Sequence, residues 1–357
     1  MNGYPSPVGP DGCASACAST SSIEALNREC FCLGADPPAL HAALEGVFGA
    51  HGLPAAMAES HPHLFSALPV YVARRHIEQT ANVVIAIEEV TASPAYRSAV
   101  LTWAPDIARF DSGSPGGLLG MDFHLAPDGP RLIEINTNPG GVLLNALLGQ
   151  AQRVCMPELT MPPTDAGKTD VAVLEAMLTE WRLQRGAAPL EFVAIVDESP
   201  WQQYLYPEFL LFRELLRRHG YRAEVCGPQE LVRRHDRLWC GESPVDMVYN
   251  RLTDFALQQP AHDVLRAAYL ASEVAVSPHP RAYALYADKL NLSVIGDREF
   301  LQASGASQVA IDALMAAVPP TQLVTPENRE AMWPVVASCS SSLPRVSAAK
   351  RAIAATS

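Results

Sequence analysis

"RLIEINTNPGG", Arg131 to Gly141, opens as a strand and then stops being one. Leu132, Ile133 and Ile135 are apolar, and one carboxylate, Glu134, sits among them ahead of a carboxamide, Asn136. Asn138, Pro139, Gly140 and Gly141 then end the run, since proline lacks a donor and glycine tolerates left-handed backbone. Side chains i and i+2 of a strand share a face, about 6.6–7 Å apart. Glu134 and Asn136 therefore face one side, and Ile133 and Ile135 the other. The apolar side suits a core, and the polar side gathers oxygen acceptors. Mg2+ takes such hard ligands, usually one or two carboxylates with substrate phosphates.

Upstream, "LLGMDFHLAPDGP" (118–130) is a second β-like run that ends in Pro127-Asp128-Gly129-Pro130, a hairpin turn. Asp122 joins the face of Glu134 and Asn136 if the turn holds an odd number of residues, and leaves it if the number is even. A polar, solvent-facing side of an edge hairpin accounts for the same residues equally well.

Outward from the hairpin, residues 1–22 are rich in Gly, Pro, Ser and Ala and read as a flexible tail. Residues 23–156 form an N-terminal lobe holding the hairpin (118–141). It contains a helix from Asp36 to about Gly52, a second over 67–90, and a third, "VLLNALLGQAQR", behind the glycine pair. Residues 157–189 are a linker and helix. From 190 to 300 the pattern is strand "FVAIV", helix "YPEFLLFRELLRRHG", strand "RAEVC", short helix "PQELVRRH" and strand "VDMVYNRL". Such alternation implies a parallel sheet. A helical segment (301–333) and a patternless tail (334–357) complete the chain.

The 357 residues carry a net charge of −12, which argues against a nucleic-acid surface. No run of 18 apolar residues predicts a membrane span, and the N-terminus lacks the basic and apolar regions of a signal peptide, so a cytoplasmic location is expected. Cys13, Cys17, Cys30 and Cys32 loosely resemble a zinc spacing, but the C-x-C half departs from it and free thiols are the reading preferred.

"MDFHLAPDGPRLIEINTNPGG" resembles the Asp…Glu-x-Asn metal hairpin of ATP-grasp ligases. It is most similar to the circularly permuted branch of eukaryotic glutathione synthetase and glutathionylspermidine synthase-like enzymes, in which the hairpin precedes the α/β domain. The resemblance implies a permuted ATP-grasp-like α/β fold, with a metal-hairpin lobe and a parallel-sheet substrate domain, spanning roughly 118–295. It implies that Glu134 and Asn136 are Mg2+-ATP ligands with Asp122 in support, and that Gly140 and Gly141 open a helix start to the nucleotide's anionic groups. "DMVYNRLTDF" is similar to the strand bearing a substrate-contacting arginine, here Arg251. "EVAVSPHPRAYALYADKLNL" resembles the region ending in an ATP-contacting lysine, here Lys289. The implied reaction makes an acyl phosphate from a small carboxylate and ATP, and an amine then attacks it.

Two weaker candidates stand beside these: Asp197-Glu198, where open α/β sheets bind ligands, and His124, more often a strand-face residue than a base. The family's second half, a Lys-Pro strand and a glycine-rich loop, is expected at 330–350. The chain instead reads "WPVVASCSSSLPRVSAAKRAIAATS". One back-translation of Pro334 to Ser357, read from the third base of each codon, gives "AGRRELLFKPAAGFGSKAGHRGDK". The tail is therefore expected to be a frameshift, in a chain that turns over poorly. Two other functions fit the same sequence: a non-catalytic small-molecule-binding or scaffold protein, and an ATP-dependent phosphotransferase. Oligomeric state has no signature.

Overall fold

A computed structural model describes residues 37–54, 70–126, 128–155 and 166–332, together with Ile23, Asn27, His61, Leu64, Phe65 and Ser66. The N-terminal cysteines and the 334–357 tail, with the zinc and frameshift expectations, lie outside the described residues.

The order of elements follows the apolar periods of the sequence. Helix α1 (Pro37–Ala50) buries Leu40, Leu44 and Phe48, a 4-4 stripe, and packs on α4 (Val142–Cys155). Helix α2 (Arg74–Ala92) buries Val83, Ala86, Ile87 and Val90. Its described start is Arg74, later than the 67 the sequence suggests: Ala73 just ahead is extended, and Val70 and Val72 face solvent. Ser93 caps the short α3 (Pro94–Val100) by accepting from Tyr96 N.

Strands β1 (Gly120–Ala126) and β2 (Gly129–Asn136) form the antiparallel hairpin. Its Leu132 and Ile135 pack with α2 and with the late helix α10 (Gln308–Ala317) into one core. Two further short helices, α8 (Asn291–Ile295) and α9 (Arg298–Ala303), precede α10 in the chain.

Helix α5 (Ala166–Arg185) leads into β3 (Phe192–Val196). Strand β3, α6 (Tyr206–Arg218), β4 (Arg222–Cys226), β8 (Met247–Asn250), α7 (Asp263–Leu270) and β9 (Ala275–Ser277) make a parallel four-stranded sheet in the order β4-β3-β8-β9. All five residues of β3 are buried. Val193 and Ile195 meet α5 and α6, and Phe192, Ala194 and Val196 meet α7, as in a sheet covered on both faces. Helix α5, read from sequence as part of a linker, is thus one of the sheet's covers.

Between β4 and β8 stands a small antiparallel sheet of β5 (Leu231–Arg234), β6 (Arg237–Cys240) and β7 (Ser243–Pro244). This corrects the helix expected over "PQELVRRH". Only Pro228–Glu230 makes a helical turn. The chain then reverses at His235 and Asp236, both left-handed (φ 52° and 56°), the backbone of a tight hairpin.

The chain leaves β3 toward β4 on one side and returns to β8 on the other. The order therefore reverses between β3 and β8, and the crevice beyond their C-terminal ends is where open α/β sheets hold ligands. Among the described residues no helix is long and apolar enough to cross a membrane.

Candidate functional site

The hairpin connects Ala126 to Gly129 through an even, two-residue turn, which by simple alternation would put Asp122 opposite Ile133 and away from Glu134. A β-bulge prevents this. Phe123 pairs with Leu132, but Asp122 pairs with Glu134, so Ile133 is the extra residue. The bulge moves Asp122 onto the face of Glu134 and Asn136. It also turns Ile133 outward, 49% exposed, while Leu132 and Ile135 stay buried. The expected pairing of Ile133 with Ile135 on one apolar face is corrected accordingly.

Asn136 Nδ2 lies 3.3 Å from Glu134 Oε1 and 3.4 Å from Asp122 Oδ2. Lys289, far along the chain, brings Nζ to 2.8 Å from Glu134 Oε2. The Lys289 contact, then the Asn136 amide, hold the Glu134 carboxyl below its ordinary range. Lys289 is delivered by a π-helical turn, Tyr283–Ala287, a local distortion common at functional sites. Four of the six residues assigned to metal and nucleotide by resemblance, Asp122, Glu134, Asn136 and Lys289, thus meet at one place. Among the described residues no three His, Cys, Asp or Glu side chains gather as a metal site, so the donor set is two carboxylates and a carboxamide. His124 stands exposed further along β1, paired with Arg131, and takes no part.

Beyond Asn136 the chain turns against the parallel sheet. Arg251, 6% exposed at the end of β8, donates to Asn138 Oδ1, to Pro139 O at 3.0 Å and to Tyr249 OH at 3.3 Å. Its guanidinium also lies 5.8 Å from the Phe209 ring centre. Gly140 lies close against the sheet, where a Cβ would stand 2.5 Å from Leu205 Cδ1 and push that side chain aside. Gly141 is required by conformation, φ +94°.

The N–H groups that open α4 do donate to an anion, but it is an internal one. Glu208 Oε2 lies 2.6 Å from Gly141 N and Oε1 lies 3.2 Å from Leu143 N. Burial raises the Glu208 pKa, and these N–H bonds and Arg251 oppose the rise. The N–H of Gly141, expected to favour an anionic group of the nucleotide, is bonded to this carboxylate. Sequence reading missed Glu208, although a glutamate in the first turn of the helix after β3 was visible.

A cavity of about 400 Å³ opens at the crevice, lined by Asn136, Asn138, Asp197, Tyr204, Arg251 and Tyr283 among others. Phe255 and Tyr283 stack at 4.0 Å with rings 7° apart on its wall. Asp197, one residue past β3, is 8% exposed, and burial pushes its pKa up to about 6. The loops behind it are pinned by His262, which is fully buried. Its Nδ1 lies 2.8 Å from Asp254 Oδ2, and its Nε2 lies 3.1 Å from Glu198 Oε1, a close approach rather than an aligned hydrogen bond. Nothing in the local pattern around His262 pointed to this.

No protein-family model matches the chain, and no curated protein matches it. Among solved structures, a glutathione synthetase-like effector from Globodera pallida, in its apo form, aligns with a TM-score of 0.51 at 16% identity. The alignment covers 80% of this chain and 71% of that one. At such low identity the likeness speaks for architecture alone: the chain has a glutathione synthetase-like fold, mixed α/β with a parallel four-stranded sheet.

Proposed function

We propose that this fold carries the site of an ATP-dependent carboxylate–amine ligase of the permuted ATP-grasp kind. The observation that carries the reading is the bulged hairpin. It sets Asp122, Glu134 and Asn136 on one face, with Lys289 Nζ 2.8 Å from Glu134.

The donor set fits Mg2+, which is satisfied by one or two carboxylates when phosphates and water complete its shell. Glu134 and Asn136 would hold the ion with Asp122 beside them, and bound Mg2+ would neutralise charge on a transferring phosphoryl group. Glu134 stays ionised well below neutral pH because Lys289 and Asn136 stabilise its charge. Lys289 is half-buried and leaves Glu134 for a phosphate oxygen at small cost, since partly exposed ion pairs contribute little. Arg251 orients an anionic group of the carboxylate substrate in the adjoining cavity, next to the Asn138 turn it already holds. Gly140 and Gly141 shape that turn, and phosphate binding falls to Lys289 and the metal face.

Product analysis with ATP, Mg2+ and panels of small carboxylates and amines tests the reading. A slow amide product, formed only with both substrates and lost in Glu134→Gln, is expected, in keeping with the poor turnover expected of this chain; robust turnover would refute the frameshift reading of the tail. A phosphorylated product that needs no amine would instead make the chain a phosphotransferase, and ligand binding without phosphate release would make it a binding protein.

A further inference from the structure

The cavity beyond β3 and β8 contains a charge that the ligase reading has not used. Asp197 follows the last residue of β3, and Arg251 follows the last residue of β8, adjacent strands paired at Val196 and Asn250. Both side chains line the cavity, yet they are satisfied differently. Arg251 is held by Asn138, Pro139 and Tyr249. Asp197 Oδ1 accepts only the N–H of Glu198, at 2.8 Å. Among the described residues Oδ2 has no hydrogen-bond donor and Asp197 makes no ion pair, although the residue is more than nine-tenths buried. The Arg251 charge reaches Asp197 without forming an ion pair, so a ligand ammonium would supply the direct partner that Oδ2 lacks.

We propose that Asp197 forms the amine subsite of this cavity: its free carboxylate oxygen holds a primary ammonium group and takes up its proton. The ligand class is a small molecule bearing a primary amine, with the aromatic wall of Phe255 and Tyr283 beside it. The assignment rests on the ligase reading for its chemical step. There the ammonium N–H bond breaks and the proton passes to Asp197 Oδ2. The freed lone pair forms the C–N bond at the carbonyl carbon of the carboxylate activated by ATP. The C–O bond to phosphate breaks with its electron pair, and the remaining extra proton leaves to solvent.

A carboxyl with a pKa of about 6 is ionised at neutral pH and still basic enough to accept a proton. The charged and titratable groups around it are Glu198 on its own loop, Arg251 and Asp254 beyond β8, His262 ahead of α7, and the Cys226 thiol ending β4. His262 fixes the Glu198 and Asp254 loops against each other, so Asp197 sits on a braced support.

Calorimetric binding of L-alanine and L-lactate to the full chain, without nucleotide, tests the proposal. The two probes differ only by an ammonium in place of a hydroxyl. Alanine is expected to bind about tenfold or more tighter at pH 7.5, the worth of one charge-assisted hydrogen bond. The preference should fall as pH drops below about 6 and Asp197 protonates. Asp197→Asn, which keeps the Glu198 contact, should abolish it. Equal binding of the probes, no binding of either, a preference flat across pH in the unmodified chain, or one that survives the substitution overturns the proposal. Because ATP takes no part, the ligase reading can fail while this assignment stands, and the reverse.

Discussion

Replacing Glu208 probes the joint between hairpin and sheet. Its carboxylate, 1% exposed, accepts from Gly141 N at 2.6 Å and Leu143 N at 3.2 Å and faces the Arg251 charge. Glu208→Ala removes two bonds to a charged acceptor, about 1.5–3 kcal/mol each, and leaves the opening N–H groups of α4 without a partner. Relief of the buried carboxylate's own desolvation offsets part of this, and a net loss of about 2–4 kcal/mol follows. Glu208→Gln keeps one carbonyl oxygen for Gly141 and should lose about 1–2 kcal/mol. Urea unfolding of the three proteins, followed by circular dichroism, gives the midpoints. The alanine variant should also melt roughly 3–5 °C lower. An alanine variant within about 0.5 kcal/mol of the parent would refute the reasoning, since ordinary surface substitutions stay in that range. It would mean that the glycine-pair N–H groups are free to receive a ligand phosphate.

Three more outcomes follow from the same geometry. Asp197→Asn should stabilise the chain by about 1–3 kcal/mol at pH 7.5, because a carboxyl whose folded pKa is raised contributes stability below its unfolded value and loses it as pH rises through about 6; the gain over the parent should vanish at pH 3, in paired pH-denaturation curves. Lys289→Met should let the Glu134 titration rise toward the ordinary carboxylate range, read by carboxyl-carbon NMR, while stability at pH 7 moves by less than about 0.5 kcal/mol. The depressed Glu134 pKa acts in the opposite sense to Asp197: its stabilisation holds above the ordinary carboxylate range and is lost as pH falls through the lowered value. Deleting Ile133 should regularise the ladder while leaving Asp122 opposite Glu134, so the helical circular dichroism and any Mg2+-dependent nucleotide affinity should both persist, and loss of that affinity in calorimetry would refute the register.

The hairpin and the parallel sheet were legible because each rests on a local period. Glu134 and Asn136 are two apart on one strand, and "FVAIV" is apolar at every position, as a strand covered on both faces must be. The placement of Asp122 was not legible, because it depends on one extra residue, Ile133, whose bulge overrides the parity of the turn. The β5–β6 hairpin was mistaken for a helix because Leu231, Val232 and the arginines fit both periods, and the left-handed pair His235-Asp236 carries no glycine to mark it. Glu208, His262 and the free oxygen of Asp197 act through contacts made between elements, to which neither period nor motif is sensitive. Lys289 was reached by resemblance, since its partner Glu134 lies far off in the chain.

The central claim is that the bulged hairpin and Lys289 make a metal–nucleotide face. Calorimetric titration of the chain with a non-hydrolysable ATP analogue, with and without Mg2+, tests it most directly. The account predicts binding that needs Mg2+, is lost in Glu134→Gln and is weakened in Lys289→Met. Affinity unchanged by removing Mg2+ or by the Glu134 substitution, or no binding under any condition, would contradict it.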